Sequence, residues 1–273
     1  MGTIVTIDLY GDVANESRQL APYLARAIGS LHEADEIFST WKSDSPMSRI
    51  RRGELDAAGA PAQVADVLSA CESARGFSNG WFDPWALPGG VDPTGYVKGW
   101  AAQRALGELL GARVDGAIIN AAGDIATFGV PSQGTHFKVG ITNPLATSEL
   151  VALVELQGCI ATSGTYERGA HLMDPHSGLF VSRLASASVS GPDLGLCDAL
   201  ATALAVAGND LLDVIEELSE FEAFTVAFDS ERQWTSGFAL EALSSRLIDV
   251  PDPRTRASVS NGLVTAPRQP AQP

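Results

Sequence analysis

Residues 191–208 read GPDLGLCDALATALAVAG, a stretch of small apolar residues that predicts a helix from about Leu196. Asp198 and Thr202 stand four residues apart within it. This spacing places both side chains on one helix face, where a hard cation such as Mg²⁺ can take a carboxylate and a hydroxyl together. The structural alternative is that Asp198 caps the helix and Thr202 bonds to a carbonyl one turn earlier. The stretch therefore supplies a helix and the first candidate metal ligands.

Strands and helices are mixed on both sides of this stretch without regular βαβ alternation, which favours an α+β fold with antiparallel sheets. The segments 38–53 and 80–96 carry turn chemistry and predict loops. A hairpin through Gln157-Gly158 is expected to join two of the strands. The predicted strands are 3–10, 116–119, 125–128, 137–141, 151–156, 159–163, 185–190, 223–228 and 235–239, and the other predicted helices are 17–37, 62–78, 97–110 and 210–218.

The composition excludes several classes of protein. With 18 Lys and Arg against 33 Asp and Glu, the net charge of −15 argues against a general nucleic-acid binder. Neither GxGxxG nor GxxxxGK[ST] occurs. The three cysteines lack CxxC spacing, so neither a zinc site nor a disulfide framework is indicated. No run is long enough for a membrane span, and no export leader is seen, which together predict a cytoplasmic protein.

The chain divides into one large folded unit and a tail. Residues 1–245 hold all the predicted strands and helices and form one predicted domain. Residues 246–273 are polar and rich in proline. This composition predicts a flexible C-terminal tail.

Two segments with turn chemistry could receive a phosphorylated ligand. In VDPTGYVKGWAAQR, Asp92 precedes a turn and Lys98 lies near a helix start, where backbone N–H groups and an ammonium can bind phosphate oxygens. The alternative is a helix cap and a solvated lysine. In ATSGTYERG, Ser163 and Gly164 end a predicted strand and could let a ligand approach the backbone, or form a plain ST-turn.

Two further segments carry a candidate base and a candidate stacking group. HLMDPHSG holds His171 and His176 beside Asp174. A histidine beside a carboxylate can act as a general base, although the same letters make a good turn. Trp41 can stack on an aromatic ligand or fill the core.

Taken together and in order, these segments resemble the FAD:protein FMN transferase (ApbE) family. The likeness spans residues 1 to about 240. Its blocks are MGT at 1–3, FSTWKSDSPMSR at 38–49, GWFDP at 80–84, VDPTGYVKGWAAQ at 91–103, NAAGDI at 120–125, ATSGTYER at 161–168, HLMDPHSG at 171–178 and DALATAL at 198–204.

The resemblance implies two duplicated T-fold-like halves, with antiparallel sheets backed by helices and FAD bound in the cleft between them. It implies Mg²⁺ held by Asp198, Thr202 and a main-chain oxygen at Gly95. It also implies transfer of FMN from FAD to a Thr or Ser hydroxyl of an acceptor protein, with release of AMP and with His171 as the base. The implied cofactor contacts are Met1, Trp41, Trp81, Phe82, Asp83, Asp92, Lys98, Ser163, Gly164 and Met173.

Two other functions stay open on the sequence. The same metal could direct water at the pyrophosphate, so that FAD is hydrolysed to FMN and AMP. The protein could instead bind FAD without catalysis. A base such as His171 argues against pure binding, because binding alone needs no proton acceptor.

Overall fold

A computed structural model describes residues 3–11, 17–164 and 172–241. The predicted tail 246–273 lies outside the described residues. The strands are β1 (Val5–Tyr10), β2 (Gly116–Ala121), β3 (Asp124–Gly129), β4 (Phe137–Thr142), β5 (Leu150–Leu156), β6 (Cys159–Gly164), β7 (Ser186–Gly191), β8 (Glu222–Val226), β9 (Arg232–Trp234) and β10 (Leu240–Glu241). The α-helices are α1 (Ser17–Phe38), α2 (Pro46–Arg51), α3 (Ala62–Phe77), α4 (Thr94–Gly107), α5 (Leu194–Ala207) and α6 (Leu212–Glu216).

The strands form two antiparallel sheets. The large sheet has seven strands in the order β1-β2-β3-β6-β7-β8-β9, and the small sheet has three in the order β10-β5-β4. The large sheet separates two cores because its side chains alternate between its faces. Ala117, Ile119 and Ala161 pack with the helices, whereas Ile160 and Phe224 pack with the small sheet. The α+β class with antiparallel sheets and helices is thereby confirmed, while duplication of T-fold-like halves stays a prediction.

Helix α5 lies at the centre of the helical layer. It packs against α4, β6 and β7, and most of its side chains are buried. Its apolar composition all round is what a helix enclosed by other elements requires. The predicted helix from about Leu196 is confirmed and begins at Leu194, after the cap residue Asp193.

The predicted hairpin through Gln157-Gly158 is wrong. Strand β5 pairs with β4 and β10, whereas β6 pairs with β3 and β7 in the other sheet. Gly158 has a φ of +100° and carries the chain from one sheet to the other. A two-residue connection is typical of a hairpin, but the length of a connection does not determine which strands pair.

Four other local predictions are corrected. The segment 38–53 contains helix α2, for which the Ser45 side chain accepts a hydrogen bond from Ser48 N and Pro46 takes the first position. This serine-proline start is a helix signal that the loop prediction overlooked. Helix α4 begins at Thr94, within the predicted loop 80–96. The predicted helix 210–218 is a 3₁₀ turn followed by the short α6, and strand 235–239 is replaced by β9 and β10.

In the described portion of the chain, no helix has both the length and the apolar character needed to cross a membrane.

Candidate active site

A cavity of about 330 Å³ lies among α4, α5, the end of β6 and several loops. Ligand sites of small molecules have volumes of about this order or larger. All of the described residues that the sequence nominated as ligand contacts line it: Trp41, Trp81, Phe82, Asp83, Asp92, Gly95, Lys98, Ser163, Gly164, Met173, Asp198 and Thr202. Met1 and His171 lie outside the described residues. Folding therefore gathers segments from most of the chain around one space.

One side of the cavity, which we call the polar wall, consists of Gly95, Lys98, Ser163, Asp198 and Thr202. Two glycines allow its helices to approach closely. A Cβ on Gly99 of α4 would lie 2.2 Å from the Leu194 carbonyl oxygen of α5, and a Cβ on Gly195 would lie 2.6 Å from the Tyr96 ring. Only residues without a side chain permit this contact.

The candidate metal ligands meet within the polar wall. Asp198 is 3% exposed, and its Oδ2 accepts a hydrogen bond from Gly99 N at 3.3 Å. The hydroxyls of Thr202 and Ser163 are 3.2 Å apart, and a Cβ on Gly95 would lie 3.5 Å from Thr202 Oγ1. A carboxylate, two hydroxyls and the adjacent Gly95 backbone therefore converge on one region.

The capping alternative for Asp198 is wrong. The cap of α5 is Asp193, whose Oδ1 accepts a hydrogen bond from Leu196 N at 2.8 Å. Asp198 lies one turn further along, in the helix interior. A buried carboxylate in that position requires a charge or hydrogen-bond partner, which is consistent with a role in binding a cation.

Lys98 is a paired cation rather than a solvated one. Its Nζ lies 2.9 Å from Oδ2 of Asp124, which is fully buried, and its own side chain is 23% exposed. Burial and the neighbouring Asp198 carboxylate raise the pKa of Asp124 well above its ordinary value, while Lys98 acts in the opposite direction. Asp124 lies in the family block NAAGDI but was not among the residues predicted to contact a ligand or a metal. A charged residue directly after a tight turn between two apolar strands was the available signal.

Three aromatic residues that line the cavity, Trp41, Trp81 and Phe82, form what we call the aromatic rim. Phe82 lies beside the polar wall, with its Cε2 3.1 Å from the position of a Cβ on Gly95. Trp41 is 94% exposed, so the alternative that it fills the core is wrong. The Ser39 hydroxyl accepts its backbone N–H at 3.3 Å. Trp81 contacts the His176 ring edge-on at 4.5 Å. The Trp81 ring also lies beneath the Arg183 guanidinium, 5.0 Å from the ring centroid, so this part of the rim is packed whereas Trp41 is open.

Arg51 of α2 holds the loop of residues 81–92, which carries Trp81 and Phe82, by an ion pair and hydrogen bonds. Arg51 Nη1 lies 2.6 Å from Asp92 Oδ2, and the Arg51 guanidinium also donates to the carbonyls of Pro88 at 3.2 Å and Val91 at 3.4 Å. Asp92 Oδ1 accepts a hydrogen bond from Thr94 N at 3.1 Å. Asp92 thus lines the cavity and also holds the backbone just before α4, but it is not the helix cap: Pro93 occupies that position, with no side-chain cap hydrogen bond.

The segments that contain Ser163 and Asp174 give different outcomes. Ser163 and Gly164 are ladder residues of β6, paired with Ala187 and Ser186 of β7, so the plain ST-turn is wrong. Asp174 Oδ1 accepts the backbone N–H of His176 at 2.9 Å, which confirms the turn in DPHSG. Met173, just before that turn, lines the cavity.

The oxygen donors of the polar wall suit Mg²⁺. This ion is usually held by one or two carboxylates, with water and substrate phosphates completing its shell. Among residues 3–11, 17–164 and 172–241, no group of three His, Cys, Asp or Glu side chains could hold a metal ion. One carboxylate and two hydroxyls fit a cation whose shell is completed by water and a phosphorylated ligand.

Known proteins resemble this chain in sequence and in fold. The model of the ApbE family matches residues 1–89 and 86–225. A curated FAD:protein FMN transferase of Rhodobacter capsulatus is 32% identical over 130 residues, which are 44% of this chain but only 24% of that protein. The chain thus matches about a quarter of the length of this relative.

Solved structures share the fold at low sequence identity. The flavin transferase ApbE from Vibrio cholerae superimposes with a TM-score of 0.73 at 19% identity, over 87% of this chain and 95% of that one. The ApbE protein from Thermotoga maritima gives a TM-score of 0.71 at 20% identity, over 86% and 94% of the two chains. With the family model matched over most of the sequence, the chain belongs to the ApbE family.

Proposed function

We propose that this protein is a Mg²⁺-dependent FAD:protein FMN transferase that moves FMN from FAD to a Thr or Ser hydroxyl of an acceptor protein. The observation that carries the proposal is that the polar wall and the aromatic rim line the same cavity. A dinucleotide with a flavin ring and a pyrophosphate offers matching groups to both. Membership of the ApbE family and the name of the Rhodobacter capsulatus relative support the same activity.

The polar wall would hold the cation and the phosphates. Asp198, Thr202 and the main-chain oxygen of Gly95 would be the protein ligands of Mg²⁺, which fits their shared position and oxygen chemistry. When bound, the ion neutralises charge on the pyrophosphate. The Lys98 ammonium adds a second positive group for the phosphate oxygens. Charge neutralisation and alignment are the main requirements of phosphoryl-group chemistry.

The aromatic rim would bind the flavin. Trp41 and Trp81 offer ring faces for stacking, and Phe82 extends this apolar surface into the cavity. Asp83, Asp92 and Met173 complete the proposed cofactor contacts, together with Ser163 and Gly164, where a strand end allows a ligand close to the backbone. Met1 is proposed as a further cofactor contact on the family resemblance alone.

His171 is the proposed general base. It would take the proton of the acceptor hydroxyl as the hydroxyl oxygen bonds to the FMN phosphorus and the bond to the AMP oxygen breaks. A neutral hydroxyl is a weak nucleophile at pH 7, and such assistance typically contributes ~10²–10⁴ in rate. Support comes from the family resemblance and from Leu172, the next residue in the chain, which lines the cavity.

The decisive experiment combines two readouts. The purified protein is incubated with FAD and Mg²⁺, with and without co-expressed candidate acceptors, and AMP release is measured alongside mass spectrometry of the proteins. Transfer predicts AMP together with a covalent FMN adduct on a Thr or Ser. Steady formation of free FMN and AMP with no adduct would identify a hydrolase, and FAD binding without AMP would identify a binding protein.

A further inference from the structure

Asp124 lies behind the cavity rather than on its surface. It is fully buried and does not line the cavity, whereas Lys98, 2.9 Å away, does. The pair therefore connects the interior of the large sheet to the ligand space. Any effect of Asp124 on a ligand in the cavity has to pass through a neighbouring side chain, and Lys98 is positioned for that role.

The backbone that carries Asp124 is closely defined. Asp124 closes the β2–β3 hairpin opposite Ala121. The two residues between them, Ala122 and Gly123, have φ angles of +50° and +93°, and the Asn120 side chain accepts Gly123 N at 2.8 Å. Positive φ at both turn positions is the geometry of a tight hairpin turn. The carboxylate is thus attached to a rigid support.

The lysine side of the pair is rigid only in its backbone. Lys98 precedes Gly99, whose contact with Leu194 fixes α4 against α5. The lysine side chain itself has several rotatable bonds and loses much conformational entropy when it is held in one place. An acceptor at ion-pair distance restricts the ammonium to one region of the cavity surface.

Stability alone gives little reason for a carboxylate at this position. Burying an ion pair costs desolvation that its attraction often fails to recover. Asp124 also lies near a second carboxylate, Asp198, which opposes its ionisation. The presence of a buried carboxylate that does not favour stability is better explained by the side chain that it orients.

We propose that Asp124 is a positioning residue that holds the Lys98 ammonium at the cavity surface, where Lys98 binds the pyrophosphate of FAD. This assignment rests on the proposed function, because it takes FAD as the ligand. It predicts that Asp124 matters for phosphate-bearing ligands only, and only while Lys98 is present.

A double-mutant cycle measured by calorimetry tests this assignment. FAD with Mg²⁺, and riboflavin as a ligand without phosphate, are titrated into the parent, Asp124→Asn, Lys98→Met and the double variant. Asp124→Asn is expected to weaken FAD binding about tenfold, the usual effect of losing a charge-assisted contact. Riboflavin affinity should change less than about twofold. In the Lys98→Met background, Asp124→Asn should have no further effect on FAD.

Controls separate positioning from general damage. The exposed Asp115 provides a matched Asp→Asn change outside the cavity lining and should leave both affinities unchanged. Melting temperatures confirm that the variants fold, and if Asp124→Asn does not, the cycle is repeated with Asp124→Ala under the same criterion. Equal losses for FAD and riboflavin, or the same loss with and without Lys98, overturn the assignment.

These titrations also distinguish this assignment from the proposed function. Coupled losses in a protein that forms no FMN adduct contradict the transferase proposal alone. Additive losses in a protein that does form the adduct contradict the role of Asp124 alone. A parent protein that binds no FAD overturns both.

Discussion

The polar wall and the aromatic rim are built in different ways. The polar wall belongs to helices and a strand of the core, where glycine contacts set the helix separation and Asp198 is almost completely buried. The aromatic rim belongs to loops held by side-chain hydrogen bonds and ion pairs, and its Trp41 is almost completely exposed. The proposed metal ligands are thus placed by packing, whereas the proposed flavin contacts are placed by loops.

The largest effect is expected from Asp198→Ala, which tests the role of the polar wall. Asp198→Ala should reduce Mg²⁺-dependent AMP release by ~10³-fold or more, because it removes the proposed metal's only side-chain carboxylate. FAD should still bind, although more weakly. Asp193→Ala is the matched control on the same helix: it removes the cap, costs about 1 kcal/mol of stability and should leave turnover intact. Full activity of Asp198→Ala at saturating Mg²⁺ would show that the metal assignment is wrong.

His171→Ala separates proton transfer from binding by the polar wall or the aromatic rim. FMN transfer to an acceptor should slow by about 10²–10⁴, whereas FAD and Mg²⁺ affinities should stay nearly unchanged. Hydrolysis of FAD need not slow equally, because water can lose its proton to other groups. His136→Ala, an exposed histidine beside Glu155, serves as the control in single-turnover assays. Unchanged transfer in His171→Ala would exclude His171 as the base.

Gly99→Ala tests whether the close contact of α4 with α5 determines the geometry of the polar wall. The new Cβ would lie 2.2 Å from a backbone oxygen of α5, so the helices must separate, at a cost of about 1–3 kcal/mol or more. Gly107→Ala in the same helix meets nothing within 4 Å and should be neutral or stabilising by about 0.5–1 kcal/mol. Chemical denaturation measures both variants. Equal stability of the two would mean that the helix contact is unimportant.

Trp41→Ala examines the aromatic rim in isolation. Loss of stacking should weaken FAD binding by ~1–3 kcal/mol, and FMN binding by the same factor, because both ligands contain the flavin ring. Stability should hardly change, since Trp41 is 94% exposed. The parent should bind FAD more tightly than FMN, because only FAD carries the pyrophosphate and adenylate. Calorimetry with Trp234→Ala as the control measures these differences, and equal affinities of the parent for FAD and FMN would contradict this division of roles.

The smallest expected effect is a pH dependence that originates at Asp124. Its pKa is raised in the folded protein, so the stability present at or below the usual Asp range of about 4 is lost as pH rises through the raised pKa. Asparagine cannot ionise and avoids this loss. The free energy of unfolding of Asp124→Asn, relative to the parent, should therefore increase as pH rises above about 4 in EDTA. A flat or falling difference would contradict the raised pKa.

Much of the site was accessible from local sequence. The spacing of Asp198 and Thr202 placed them on one helix face because helical geometry is local, and the ordered motifs identified the family. The start of α2 is also determined by local residues, Ser45 and Pro46, but the turn-forming composition of the segment led to the prediction of a loop. Where neighbouring residues determine the conformation, the sequence was sufficient in principle.

What only the tertiary structure decided are the contacts between distant segments. The partner of each strand after Gly158, the approach of Gly99 to Leu194 and the pairing of Lys98 with Asp124 all join residues far apart in the chain. Such contacts depend on how the sheets and helices pack as a whole, and no local propensity encodes them. The sequence by itself determined the family and most of the candidate ligands, and packing decided which of them face one another and which buried charge lies behind them.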